Sequence, residues 1–441
     1  MIDKSTSDYN EKPSESRRKF IKKTVIASVG IPLMQGVLGA SFNKSLVFNV
    51  EGLNPYTNNI GKSIIGGYGE WTASLLKDPP KLSFRNEKLF NVDEWKTKAL
   101  NKAEELIAAP DINDDIKVVV ENKYSYDGLE IEELSWQLPY GRATKAILLK
   151  PKGIKEQLPG ILALHDHGGK KYFGKRKITR VDNKMHPAIE EHQNSDYEGM
   201  AWANEIAKRG YVVLVHDAFS FASRRVYYKD VEGITWGQMK VDDKSDDDPD
   251  KIENVNIYNS WAGAHETVMA KSLFCAGTTF PGMVLAEDKI ALSVLSNRAD
   301  VDQNRIGCGG LSGGGLRTVF LGGMDKRIKC AVCVGFMSTW KDFLMLKSYT
   351  HTWMAFAPLL SNYLDFPEIL GLRVPLPTLV QSNNQDDLYT LSEMKKADNI
   401  LKDVYKKAGE SDKYKTNFYD GGHKFDKKMQ ADAFDWFDKW L

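Results

Sequence analysis

The sequence predicts an α/β protein whose mostly parallel sheet is covered by helices on both faces. Three observations predict it. Short apolar runs without polar alternation, such as residues 160–164 and 376–381, read as strands buried on both sides. These runs alternate with stretches of helical period. Between one strand and one helix lies Gly310-Leu-Ser-Gly-Gly314, a turn that presents a serine.

Length and composition set the frame. The chain has 441 residues, 42% hydrophobic and 11% aromatic, enough for a sizeable core in one large or two ordinary domains. Sixty basic residues against 59 acidic leave a net charge of +1, a balance that argues against nucleic acid as a partner. The cysteines Cys275, Cys308, Cys330 and Cys333 sit among apolar neighbours and are expected to be buried free thiols. Cys330-Ala-Val-Cys333 lies inside a strand-like run and lacks the second pair of a zinc site.

At the N-terminus, Ser16-Arg-Arg-Lys-Phe-Ile-Lys22 precedes a weakly apolar run, 24–40, broken by Gly30, Pro32, Gln35 and Gly36. The pattern resembles a twin-arginine export signal. Residues 1–40 are therefore expected to be a signal peptide, read by the twin-arginine export machinery, with the mature protein periplasmic or secreted. The run is short of the ~20 apolar residues of a comfortable membrane span. No cysteine precedes position 275, which excludes lipoprotein attachment of this segment.

Residues 41–115 read as an accessory segment. Tyr68, Trp71 and Leu75 are expected to pack as a cover, and 91–109 carries a helical pattern at Trp95, Ala99, Ala103 and Leu106. The catalytic domain is expected over 116–441. Strands at 116–120, 129–138 and 143–149, the first two joined by a turn at Tyr126-Asp127-Gly128, suggest an antiparallel start. The strand 160–164 runs into His165-Asp-His-Gly-Gly169. A helix through Met200, Ala203, Ile206 and Ala207 then closes at Gly210, before a strand at 211–215.

Residues 241–250 are rich in aspartate but lack the spacing of a calcium loop, and read as a solvated insertion. Helices follow over 261–274 and from Pro281 through Met283, Ala286, Ile290 and Val294. The strand at 305–308, the serine turn and an apolar helix through Leu316, Val319, Phe320 and Leu321 come next. Strands at 328–335 and 376–381 and a last helix through Met429, Ala433, Phe437 and Trp440 complete the pattern.

A serine held at a strand-to-helix turn adopts a strained backbone, and flanking glycines remove the Cβ atoms that would collide there. The helix that follows offers its first N–H groups, that of Gly313 foremost, to an oxyanion. Ser312 is thus the candidate nucleophile. The turn lacks the lysine of a phosphate loop and the glycine spacing of a dinucleotide site.

Ser312 needs a base, and the base needs an acid to fix its tautomer. His423 sits in the loop Tyr419-Asp-Gly-Gly-His-Lys-Phe425 before the last helix, and Asp386 or Asp387 follows the strand at 376–381. The order Ser312, acid, His423 is the one this kind of sheet uses.

On these residues the chain resembles the α/β-hydrolase fold, and within it the dienelactone hydrolase-like and acetyl xylan esterase-like bacterial enzymes. The resemblance covers roughly 116–441. His165-Asp-His-Gly-Gly169 is similar to the family's H-G-x-G-G oxyanion strand end, with Asp166 in place of the first glycine. Asn383-Asn-Gln-Asp-Asp-Leu-Tyr389 is similar to its G-x-x-D-x-L-F turn, with Asn383 in place of glycine, and implies Asp386 as the acid. Gly421-Gly-His423 matches its G-x-H loop. The resemblance implies the backbone N–H of His167 as second oxyanion donor and a structural role for residues 217–224. A metal pair at His165 and His167, extended by His216 or Asp217, is the weaker alternative.

The expected activity is that of a serine ester hydrolase that needs no cofactor or metal. Residues 336–375 form an aromatic-rich insertion with Trp340, Tyr349, His351, Trp353 and Tyr363, expected to roof the site. Rings over a cleft suit sugar faces, so Trp340 and Trp353 are candidate substrate contacts and carbohydrate esters the favoured substrates. A peptidase on the same triad and a ligand-binding protein that kept the fold are the rivals. Oligomeric state has no signature in the sequence.

Overall fold

The computed structural model describes residues 63–86, 91–113, 115–234, 237–241, 244–246 and 250–441. The expected signal peptide, 1–40, lies outside them. All described residues belong to one unit, Asn59–Leu441.

The strands, in chain order, are β1 Val119–Tyr126, β2 Leu129–Trp136, β3 Thr144–Pro151, β4 Leu158–Ala163, β5 Val212–His216, β6 Val301–Leu311, β7 Cys330–Val334, β8 Thr378–Asn383 and β9 Tyr414–Tyr419. They form one sheet in the order β1-β2-β3-β5-β4-β6-β7-β8-β9. The pairs β1/β2, β2/β3 and β3/β5 are antiparallel and the other five are parallel. The hairpin turn is where the sequence puts it, with Asp127 at φ 52° and Gly128 at φ 79°, the signs a two-residue hairpin requires.

The helices of six residues or more are α1 Gly69–Leu75, α2 Val92–Ile107, α3 Pro187–Tyr197, α4 Trp202–Lys208, α5 Ile252–Cys275, α6 Phe280–Ser296, α7 Gly313–Met324, α8 Phe366–Gly371, α9 Leu391–Lys407 and α10 Lys427–Trp440. One face of the sheet packs on α2, α6, α7, α8 and α9, through residues such as Trp95, Leu285, Leu316, Phe366 and Leu401. The other packs on α3, α4 and α10, through Tyr197, Ile206 and Phe437. Helix α2 starts where Asn91 accepts the Glu94 N–H at 3.0 Å, and docks its end through Thr278 and Thr279, whose hydroxyls donate to the carbonyls of Ala108 and Ile107.

Several expectations are corrected. Tyr68, Trp71 and Leu75 are not a packed cover but 72%, 57% and 53% exposed. Three apolar residues at helical spacing had suggested a buried stripe, yet α1 turns them outward. The fourth buried position of α2 is Ile107 rather than Leu106. The first strand begins at Val119, not 116, because β1 is an edge strand with a mostly exposed ladder of polar residues and so has no apolar period. Cys275 is exposed at the end of α5, while Cys308, Cys330 and Cys333 are buried as expected.

Candidate active site

Parallel strands deliver their C-terminal ends to the same edge, and at that edge β4 lies between β5 and β6. β4 ends in the His165–Gly169 loop and β6 in Ser312, so the two meet without a long excursion of either.

Ser312 occupies φ 56°, ψ −117°, a conformation L-residues avoid, and is half-buried. Its N–H donates to Val334 O at 2.9 Å and its carbonyl accepts the first bond of α7 from Leu316 N–H at 2.8 Å. A Cβ on Gly310 or Gly314 would stand 2.1 Å from Leu164 O, and one on Gly313 2.6 Å from the nitrogen of His167. Only glycine permits these approaches. The last contact sets His167 N beside the first turn of α7, the arrangement that lets two backbone N–H groups share one oxyanion.

His423 follows β9, and Asp386 follows the neighbouring β8. His423 Nδ1 lies 2.6 Å from Asp386 Oδ2. Asp386 Oδ1 accepts the Leu388 N–H at 3.0 Å, so the carboxylate is held at both oxygens. Asp387, the alternative from the sequence, is exposed. The imidazole rests on Gly335, just past β7, where a Cβ would be 3.0 Å from both His423 Cε1 and Leu311 Cδ1. Gly335 thus lies between the ring and Leu311, the residue before Ser312, and no hydrogen bond joins His423 to Ser312 among the described residues. His423 Nε2 is buried with no hydrogen-bond partner among the described residues. An imidazole with Nδ1 on a carboxylate and Nε2 uncommitted is arranged to take a proton.

The rings of His165 and His167 are both engaged by protein groups. His165 Nδ1 donates to Asp166 O at 2.9 Å and its Nε2 accepts from Ala218 N at 3.2 Å. His167 Nδ1 accepts from Gly169 N at 3.1 Å, and its Nε2 donates to Glu266 Oε1 at 2.8 Å. His216 turns instead to Asp288 (2.9 Å), and Asp217 to Lys175 (2.9 Å) and Ser223 (2.7 Å).

Glu266, on α5, was not singled out from the sequence. One carboxylate oxygen takes His167 and Lys171 Nζ (2.7 Å), and the other takes Thr352 Oγ1 (2.8 Å) and Trp353 N–H (3.3 Å). Burial works against its charge, but Lys171 and His167 outweigh it and hold the carboxyl far below its usual range. One side chain thereby ties the His165–Gly169 loop, α5 and the insertion together. Arg317 does similar work behind the elbow, with Nη2 2.6 Å from Asp288 and Nη1 3.4 Å from His165 O. The available signal was charge in apolar surroundings: Asp288 interrupts the apolar α6, and Arg317 the apolar α7.

Trp340 is corrected as a substrate contact. It is buried, its Nε1 donates to Leu364 O at 3.0 Å, and its ring packs edge-on to Phe343 and Phe366. It fills the insertion's own core. Trp353 is half-buried and lines a cleft of about 480 Å³ with Glu266, Thr267, Tyr349, His351 and Phe356. His351 Nε2 donates to Leu388 O at 3.1 Å, Leu388 N–H donates to Asp386, and Glu266 touches His167, so two lining residues of this cleft connect to the loops that carry Asp386 and His167. Burial pushes His351 down to about 4, leaving it neutral at ordinary pH. A second hollow, of about 330 Å³, lies between α1, Trp340 and Lys396; neither it nor the Trp353 cleft is lined by Ser312, Asp386 or His423.

The sheet order, the crossovers and the serine elbow define the α/β-hydrolase fold. No family model matches the chain. YtaP of Bacillus subtilis (strain 168), whose own assignment as a hydrolase is by inference, is 25% identical over 315 residues, 70% of this chain and 88% of that protein. A candidate acetyl xylan esterase from Bacteroides fragilis superposes with a TM-score of 0.59 at 17% identity, over 80% of this chain and 81% of its own. A glucuronoyl esterase from Solibacter usitatus does so with a TM-score of 0.53 at 12% identity, over 82% and 96%.

Proposed function

We propose that this chain is an exported serine hydrolase of carboxylic esters, with carbohydrate esters as its substrates. The observation that carries the reading is the pairing of two features at one sheet edge: Ser312 strained at φ 56° on its turn, and His423, against Gly335, with Nδ1 2.6 Å from Asp386. Strain of this kind costs of order 1–3 kcal/mol and persists where it serves a purpose.

In the proposed cycle His423 Nε2 accepts the Ser312 proton as Oγ attacks the ester carbonyl. The N–H groups of Gly313 and His167 bind the oxyanion, and Asp386 stabilises the imidazolium. Collapse expels the alcohol, which takes the proton from His423. Water repeats the sequence on the acyl-enzyme and releases the acid.

For the substrate, support comes from the cleft: the Trp353, Tyr349 and Phe356 rings beside the hydroxyl of Thr267 suit the flat faces and hydroxyls of a sugar. The fold is shared with the esterases named above. Export rests on the twin-arginine pattern of residues 16–22.

The test uses the purified protein. A fluorophosphonate probe should label wild type and not Ser312→Ala, and acetylated oligosaccharides should be cleaved in preference to short aryl esters. Failure to label removes the serine hydrolase, and indifference to the sugar removes the carbohydrate.

A further inference from the structure

The oxyanion donor of His167 is one end of a peptide unit whose other end, Asp166 C=O, is gripped from two sides. Lys177 Nζ donates to that oxygen at 2.8 Å and His165 Nδ1 at 2.9 Å. His165 must carry its proton on Nδ1, because Nε2 accepts from Ala218 N. Lys177 reaches further and donates to His167 O at 2.7 Å, so the carbonyls on both sides of the His167 Cα are fixed.

The peptide is planar and trans, so its C=O and N–H point in opposite directions, and orienting one orients the other. A cation on the oxygen also draws electron density from the nitrogen and makes the N–H a stronger donor.

Lys177 is placed for this at a cost. It is completely buried, and an ammonium there loses its hydration. Its counter-charge is Asp166, whose Oδ2 is 3.4 Å from Nζ and whose Oδ1 is held by Tyr197 (2.6 Å) and His192 (3.0 Å). Asp166, His192 and Asp196 have the spacing of a metal site, but the Lys177 charge already occupies the electrostatic role a cation would take. Anchoring a loop could be done by a neutral donor. Placing a buried charge on the carbonyl behind an oxyanion N–H does something more.

We propose that Lys177 is a positioning residue for ester hydrolysis, aligning and polarising the Asp166–His167 peptide so that the His167 N–H binds the transition-state oxyanion. The inference rests on Ser312 being the nucleophile.

The test is Lys177→Gln, which keeps a donor without the charge, alongside Lys177→Met, which removes both. With an aryl acetate, each should lower kcat by about 10–100-fold and leave KM within about twofold, because the oxyanion exists only in the transition state. Glutamine should do no better than about tenfold below wild type. Wild-type labelling by fluorophosphonate, and its loss in Ser312→Ala, checks the serine reading separately. If those hold and Lys177→Gln keeps full kcat, the Lys177 proposal alone falls. If wild type is not labelled, both fall.

A second measurement is the pH profile. The titratable groups facing Lys177 are His165, Asp166 and His167 in the loop, Lys170 and Lys171 beyond it, and His192 and Tyr197 behind Asp166. Burial brings Lys177 down to about 8 and lowers Lys171 too, against the opposing charge of Glu266. Wild-type kcat/KM should therefore fall on the alkaline side with a midpoint near 8. That limb should be lost in Lys177→Gln; a limb unchanged in Lys177→Gln belongs to another lowered group such as Lys171 and overturns the proposal.

Discussion

His423 Nδ1 and Asp386 Oδ2 lie 2.6 Å apart although 37 positions separate them in the chain. The contact follows from β8 and β9 being parallel neighbours, whose C-terminal loops leave the sheet side by side. Asp386→Asn should lower kcat by about 10⁴, since the amide no longer fixes the tautomer that His423 needs. Asp387→Asn, altering an exposed carboxylate outside that pair, should stay within about threefold of wild type. Steady-state kinetics of the two variants decide between adjacent aspartates.

Ser312 stores strain, and its two small replacements should differ in stability. With Ser312 as the proposed nucleophile, both Ser312→Ala and Ser312→Gly should lose up to ~10⁶ in turnover. Alanine keeps the Cβ at φ 56°, whereas glycine is at ease there, so Ser312→Gly should unfold at the higher temperature, by an amount corresponding to about 1 kcal/mol. Calorimetry reads the difference. Equal melting of the two variants would count against strain at the elbow.

Glu266 should matter to stability more than its single position suggests. Glu266→Ala leaves Lys171 buried with the Ser220 hydroxyl but no counter-charge and releases Thr352 and Trp353, a loss of about 3–5 kcal/mol in urea unfolding. Adding Lys171→Met removes the orphan charge and should recover part of that loss. A double variant as unstable as the sum of the singles would mean that the two groups do not act on each other.

Stability should also depend on pH through Glu368. It is fully buried on α8, accepts Asp365 N–H at 2.9 Å and the Ser83 hydroxyl, and lies 3.5 Å from Arg85 Nε. Burial pushes its carboxyl up to about 7 in spite of Arg85. The folded state therefore holds a proton that the unfolded chain releases above 4.5. This contribution, at most about 3 kcal/mol, is complete below pH 4.5 and disappears as pH rises through 7. Glu368→Gln should abolish that slope in denaturant titrations made at several pH values.

The insertion illustrates where reading the sequence stops. Trp340 and Trp353 look alike as isolated aromatic residues, but one closes a cluster with Phe343 and Phe366 and the other borders the cleft. Nothing local separates them. Tyr68, Trp71 and Leu75 show the same limit in reverse, since apolar spacing says which residues share a face and not what that face meets.

The amino-acid order by itself determined the alternation of strands and helices, the hairpin at Asp127-Gly128 and the glycine-lined turn of Ser312, because each depends on backbone freedom or on periodicity within a few residues. It also marked His423 and narrowed the acid to two neighbours. Only the tertiary structure decided that Asp386 is the one paired with His423, that Glu266 joins three distant segments, and that Lys177 stands behind the His167 peptide. Those relationships belong to charges taken out of water, and a buried charge is tolerable only beside partners that the fold, rather than the neighbouring sequence, brings to it.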